Sequence, residues 1–172
     1  MANENLNTGV VMRQDIRDYI SEPDAENYEY LAKGVVSLDE NPNAKTDQTT
    51  YICDATATTD VISYETQFPF EAHMMTKQPA IMMLHEVARN HRTGSDAEKD
   101  YVRVDLFDKA TGSEGTEIEN TFKARKFRVS VEVTSYSGGG GEKISLSGNL
   151  NAKGDPIDGT FNTATKKFTA IE

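Results

Sequence analysis

Tryptophan is absent from this sequence and cysteine occurs once, at Cys53. A single thiol excludes an internal disulfide, and synthesis inside a cell fits that usage. A lone thiol on a strand is ordinarily a small packed side chain, not a nucleophile. Long apolar runs are missing too. The longest, Ala80–Leu84, is far too short to span a bilayer. The opening "MANENLNTGVVMRQD" lacks the basic-then-apolar order of a secretory leader. Basic charge is in deficit, 18 residues against 28 acidic ones, which leaves a net charge of -10. Such a surface repels phosphate and argues against gripping nucleic acid through counterion release. It does not argue against a protein that lies beside DNA without holding it.

The 172 residues suffice for one domain with a real core, and the 37% hydrophobic content makes that core modest. The first 25 residues are polar and carry no sustained period. Asp15, Asp18, Glu22, Asp24, Glu26 and Glu29 face only Arg17 as counter-charge over that stretch, the pattern of a solvated arm. "YEYLAKGVVSL" (28–38) reads as a strand broken at Gly34, where a bulge is expected. "DENPNAKTDQTT" (39–50) is a loop by every local signal. "TTDVISYETQFPF" (58–70) alternates with period two, Ile62, Tyr64, Phe68 and Phe70 on one face and Pro69 marking an edge or end. One helix is expected over 76–91, with Thr76 as N-cap, Pro79 in the first turn and a stripe of Ile81, Leu84, Val87 and Ala88.

Strands follow: 101–107, 122–133, 143–150, and a hairpin turning around Asn162–Lys166. Period two with one polar face per strand predicts an antiparallel sheet, and no strand–helix alternation supports a parallel one. The expected class is mainly β with one α-helix.

No catalytic constellation emerges. A phosphate cradle needs glycines leading into a helix, whereas Gly138–Gly141 lead into an alternating strand and read as a bend. His85 and His91 are six positions apart, not the four that put two ligands on one helix face. No serine sits in a G-x-S-x-G context. The expectation is no enzyme, no metal and no cofactor. "KARKFR" gathers Lys123, Arg125, Lys126 and Arg128; on an acidic chain such a strip is either a solvated face or a partner for carboxylates of a neighbouring copy.

The opening "MANENLNTGVVMRQDIRDYI", the loop "LDENPNAKTDQTTYI" and the stretch "SLSGNLNAKGDPIDGTFNTATKKF" together resemble the tail tube (major tail) proteins of long-tailed bacteriophages and phage-derived particles of Gram-positive hosts. That resemblance spans nearly the whole chain and its motifs are architectural. It implies an antiparallel β-sandwich or split barrel with one flanking helix. It further implies hexameric rings stacked into a tube that conducts DNA during genome ejection. Implied partners are further copies, a tail terminator, a tape measure and baseplate or tip proteins, with transient passage of DNA and no membrane insertion. The implied location is the virion tail after synthesis in the host cytoplasm. On this sequence the reaching segments would be the arms 1–20 and 168–172 and the loop 39–50. The self-assembly candidates are Asp15, Ile16, Tyr19, Asp39, Glu40, Asn41 and the four cations of the basic strip. A tube subunit of a contractile bacteriocin or injection system would look nearly the same. A monomeric β-sandwich carbohydrate-binding module is the other alternative, with Tyr28, Tyr30, Tyr51 and Tyr64 in place of the missing tryptophan platforms.

Overall fold

The computed structural model describes residues 9–171. The fold is mainly β with one α-helix, and every strand pair whose register is defined runs antiparallel. The chain divides into two compact units.

The first unit takes in the described residues up to Lys33, then Lys99–Arg128 and the chain from Gly154 onward. Its sheet is built from β1 (Ile16–Ser21), β2 (Glu29–Tyr30), β7 (Glu98–Thr111), the first part of β8 (Glu117–Ser137), β10 (Ile157–Asn162) and β11 (Lys167–Ala170). Tyr19, Tyr28, Val102, Val104, Ala124 and Phe161 close one core on this sheet. The Tyr19 ring lies 4.4 Å from Phe161, and Tyr28 meets the same ring edge-on at 5.8 Å. Each such ring removes a large apolar area from water, which lets a core without tryptophan hold.

Ile16–Ser21 departs from the solvated-arm reading. These residues are strand β1, paired with β7 from Ile16↔Asp105 to Ser21↔Asp100 and with β2 at Tyr19↔Tyr30. The acidic pattern misleads there because Asp18 is not solvated. It is 1% exposed, and its carboxylate accepts from Tyr101 Oη at 2.5 Å, Arg103 Nε at 2.9 Å and Arg13 at 2.5 Å. A buried carboxylate is tolerable when cations and donors surround it. At the other end, 167–170 is edge strand β11, paired with β10, instead of a free arm. Residues 1–8 and Glu172 of the expected arms lie outside the described residues.

The second unit is Gly34–Glu98 with Val129–Lys153. Its strands are ordered β3 (Val35–Leu38), β6 (Gln67–His73), β9 (Ser145–Ala152) and the last part of β8. Helix α1 (Pro79–Arg89) carries Pro79 at its start, where a missing N–H costs nothing. It buries Ala80, Ile81, Leu84 and Val87; Gln78, not Thr76, is its N-cap residue. Gly34 does interrupt the strand: at φ +95 its missing Cβ leaves room for Ile81 Cδ1 and Met75 Sδ, which an added carbon would meet at 2.6 and 2.7 Å. The four-glycine run is the bend between β8 and β9, closed by Glu142 N donating to Gly139 O at 3.1 Å.

The stretch expected as one strand over 58–70 is two. β5 (Thr58–Tyr64) ends before Glu65 and β6 begins at Gln67. Phe68 and Phe70 face the core as the alternation requires, but Ile62 and Tyr64 are exposed. Pro69 sits inside β6, not at its end. Its carbonyl accepts from Asp39 N at 3.0 Å, so its nitrogen faces the point where β3 stops and no ladder donor is needed.

Candidate assembly surface

The residues expected as a featureless loop contain a strand. Ala44–Thr49 is β4, and it pairs with β5 in a two-stranded sheet of its own. The root of this hairpin is firmly held. Asn41 and Gln67 exchange backbone hydrogen bonds at 2.8 and 2.9 Å, and Glu65 N donates to Asn43 O at 3.2 Å. Asn43, at φ 49, adopts the left-handed turn that asparagine tolerates, and its Nδ2 donates to Glu65 O at 3.1 Å. Lys45 and Glu65 pair across the strands at 3.0 Å.

Beyond the root, every residue of β4 and β5 is exposed. The turn is closed by Asp54 N donating to Tyr51 O at 2.9 Å and presents Tyr51, Ile52 and Cys53 to solvent. Val61, Ile62 and Tyr64 are likewise exposed, Ile62 at 66%. A two-stranded hairpin in water is marginal by itself. One that displays β-branched and aromatic side chains on strands with no buried residue has the character of half an interface.

The sequence candidates distribute unevenly around this element. Asp39, Glu40 and Asn41 lead into its root beside β6. Asp15 closes a short 3-10 turn by accepting from Met12 N at 2.8 Å. Ile16 opens β1, and Tyr19 is a core residue, 2% exposed, whose hydroxyl burial pushes above its ordinary range. The basic strip meets carboxylates of its own unit. Lys126 lies 3.2 Å from Asp100, Arg128 lies 2.6 Å from Asp100 and 2.7 Å from Asp24, and Lys123 lies 3.0 Å from Asp108. The Arg125 guanidinium stands 5.6 Å from the Phe127 ring centre. Burial works to lower the Lys126 ammonium, but the Asp100 carboxylate and the Tyr28 hydroxyl outweigh it and hold its pKa above the usual value. A groove of about 390 Å³ beside Lys126 is lined by Asp24, Glu26, Tyr28, Lys167 and Phe168.

Of the four tyrosines considered as a glycan platform, Tyr28 is buried and Tyr30 is stacked on Tyr19 at 5.0 Å. Tyr51 and Tyr64 are more exposed than Tyr30, and both lie on the hairpin. Among the described residues no group of three or more His, Cys, Asp or Glu side chains is placed to hold a metal ion. No helix among them is long and apolar enough to cross a membrane. The hairpin's strand β4 escapes sequence reading because it has no buried face and therefore no apolar alternation. The usable signal is composition: threonine recurs in both "KTDQTT" and "TATTDVISY", on either side of a short turn.

The architecture so defined is a mainly β protomer bearing an unsupported hairpin. No protein-family model matches the chain, and no curated protein matches it in sequence. Its fold is similar to that of a chain in the tail of an empty GTA particle, a structure with C6 symmetry. The TM-score is 0.59 at 11% identity, over 94% of this chain and 100% of that one. It is also similar to a chain of the sixfold-symmetrised baseplate of the anti-feeding prophage, with TM-score 0.50 and 10% identity over 88% of this chain and 95% of that one. What is shared with both chains is the fold.

Proposed function

We propose that this chain is a structural subunit of a tail tube. Copies close into hexameric rings, rings stack, and the β4–β5 hairpin lies across a neighbouring copy. The observation that carries this reading is the hairpin itself, exposed at every strand residue while displaying Val61, Ile62 and Tyr64. Packing on a neighbour supplies the covering surface that the protomer lacks. The C6 symmetry of the GTA tail, whose chain has a similar fold, supports rings of six. Ring closure also pairs strand edges, which otherwise invite uncontrolled association.

The tube's cargo is DNA in this reading. With a net charge of -10 and Lys126, Arg128 and Lys123 satisfied within their own unit, the wall offers phosphate little to hold. Screening within ~8 Å at physiological salt keeps the repulsion short-ranged. The location is the virion tail, where the tube meets terminator, tape-measure and baseplate proteins. The likeness to the anti-feeding prophage baseplate chain favours a second reading, the tube of a phage-derived contractile bacteriocin or injection system.

Negative-stain microscopy of the purified protein tests the proposal. Rings or tubes are expected at high concentration, and none when 44–64 is replaced by a short Gly-Ser linker that leaves the far-UV spectrum largely β. A compact monomer at millimolar concentration would overturn it. Tubes recovered with DNA-filled heads, against tubes recovered only as headless particles, separate the two cargo readings.

A further inference from the structure

The β4–β5 hairpin does not keep one register. Ala44↔Tyr64 and Lys45↔Ser63 set it at the root, and from Thr46↔Val61 onward it is one residue out, with Ile62 as the extra residue. A bulge of this kind re-aims everything beyond it. Had the first register continued, Asp47 would face Val61 and Asp60 would face Gln48. With the bulge, Asp47 faces Asp60 directly. Residues directly opposite on an antiparallel pair share a face with Cβ atoms about 5 Å apart, and like charges there are destabilising. The only cation between residues 43 and 65 is Lys45, and it is held by Glu65 at the root. The bulge therefore sets two carboxylates against each other on a hairpin whose strands bury no residue.

We propose that the opposed Asp47 and Asp60 carboxylates are an electrostatic brake, keeping the β4–β5 hairpin loosely paired in the lone protomer so that it sets only on a neighbouring copy. The release step rests on the tube reading; the brake itself does not. Cooperative ordering on contact ties hairpin formation to assembly and protects its exposed strands from pairing with stray chains in the meantime. Because the pair is solvent-exposed, its repulsion falls as salt shortens the screening length from about 10 Å at 0.1 M to about 3 Å at 1 M.

Amide hydrogen exchange of the dilute protomer reads the brake directly. Asp60→Asn is expected to raise protection over 44–49 and 58–64 about 1.5- to 5-fold at low salt, the range that one opposed like-charge pair commands. High salt should raise protection in the wild type by a similar factor and leave Asp60→Asn nearly unmoved. Asp155→Asn, which removes one exposed charge from another turn, should behave as wild type. The protein concentration at which tubes first pellet should fall in Asp60→Asn by about the same factor. Equal protection in Asp60→Asn and Asp155→Asn, or the same salt response in Asp60→Asn as in wild type, would refute the brake. Raised protection with no tubes from any variant would leave the brake standing and sink the tube reading. Tubes with unchanged protection would do the reverse.

Discussion

Replacing Ile62 by threonine separates the hairpin's role in assembly from any role in folding. The substitution keeps the β-branched shape that strands favour, so the hairpin's own preference is little altered. Ile62 is 66% exposed, so the protomer uses only a third of its surface. Fully burying an isoleucine gains roughly 1.5–3 kcal/mol, and two-thirds of that is about 1–2 kcal/mol still to be realised on a neighbour. Threonine forfeits most of it. The concentration at which tubes first pellet should therefore rise about five- to thirtyfold, measured by ultracentrifugation with negative-stain inspection of the pellet. The thermal midpoint of the dilute protomer should move by less than about 2 °C, as expected for a change of a few tenths of a kcal/mol. A large drop in that midpoint would show that Ile62 packs within the protomer. Unchanged pelleting would show that the hairpin's apolar face is not an interface, and the reasoning would fail at its central step.

Gly148→Ala should damage the second unit, because an added Cβ would lie 1.8 Å from the Glu132 carbonyl oxygen and 2.8 Å from Val133 Cα. Backbone cannot yield as a side-chain tip does, so a loss of about 3 kcal/mol or more in urea unfolding is expected; near-wild-type stability would mean that β8 and β9 part easily there. Alkaline pH should weaken the first unit. Burial raises Tyr28, and Asp100 with Tyr28 raises Lys126, so both hold their protons more tightly folded than unfolded. Their contribution is complete below their ordinary values and is lost as pH climbs through the folded ones, from about pH 10 upward. Tyr28→Phe should flatten part of that decline in denaturation curves from pH 9 to 12, and an identical decline in the variant would discount the tyrosine.

Much of the sheet was legible from residue alternation. Phe127, Val129 and Val131 are buried on one face of β8, and Leu146 and Leu150 on β9, as period two demands. The helix was legible from its stripe and the Gly138–Gly141 bend from the strands on either side. What failed was legibility of charge. Asp18 reads as solvent-facing but is buried because Arg103 and Tyr101 come to it from elsewhere in the chain and join Arg13, five residues before it, and no local pattern announces partners 83 or 85 residues away. Likewise "KARKFR" reads as a solvated face or a partner for a neighbour's carboxylates, while Asp100 and Asp108 of the same chain lie on neighbouring β7. On the hairpin, β5 was legible from the alternation of Ile62 and Tyr64, and β4 was not. Strand β4, "AKTDQT", has no large apolar side chain and so leaves no apolar period to detect.

These two failures have a common physical source, and it bears on function. Alternation reports apolar patterning, so it finds β5, where Ile62 and Tyr64 alternate though exposed, and overlooks β4, which has no large apolar side chain. Charge counting reports net sign but not which charges are already neutralised. Once Asp18, Asp100 and Asp108 are set against their internal cations, much of the remaining acid lies on exposed turns and on the hairpin, where Asp47, Asp54 and Asp60 follow one another with no cation between them. An acidic, apolar-tipped hairpin is poorly suited to grip phosphate or to rest in water. In the proposed ring the partner is the surface of an identical copy, and no second gene product is needed to cover the hairpin.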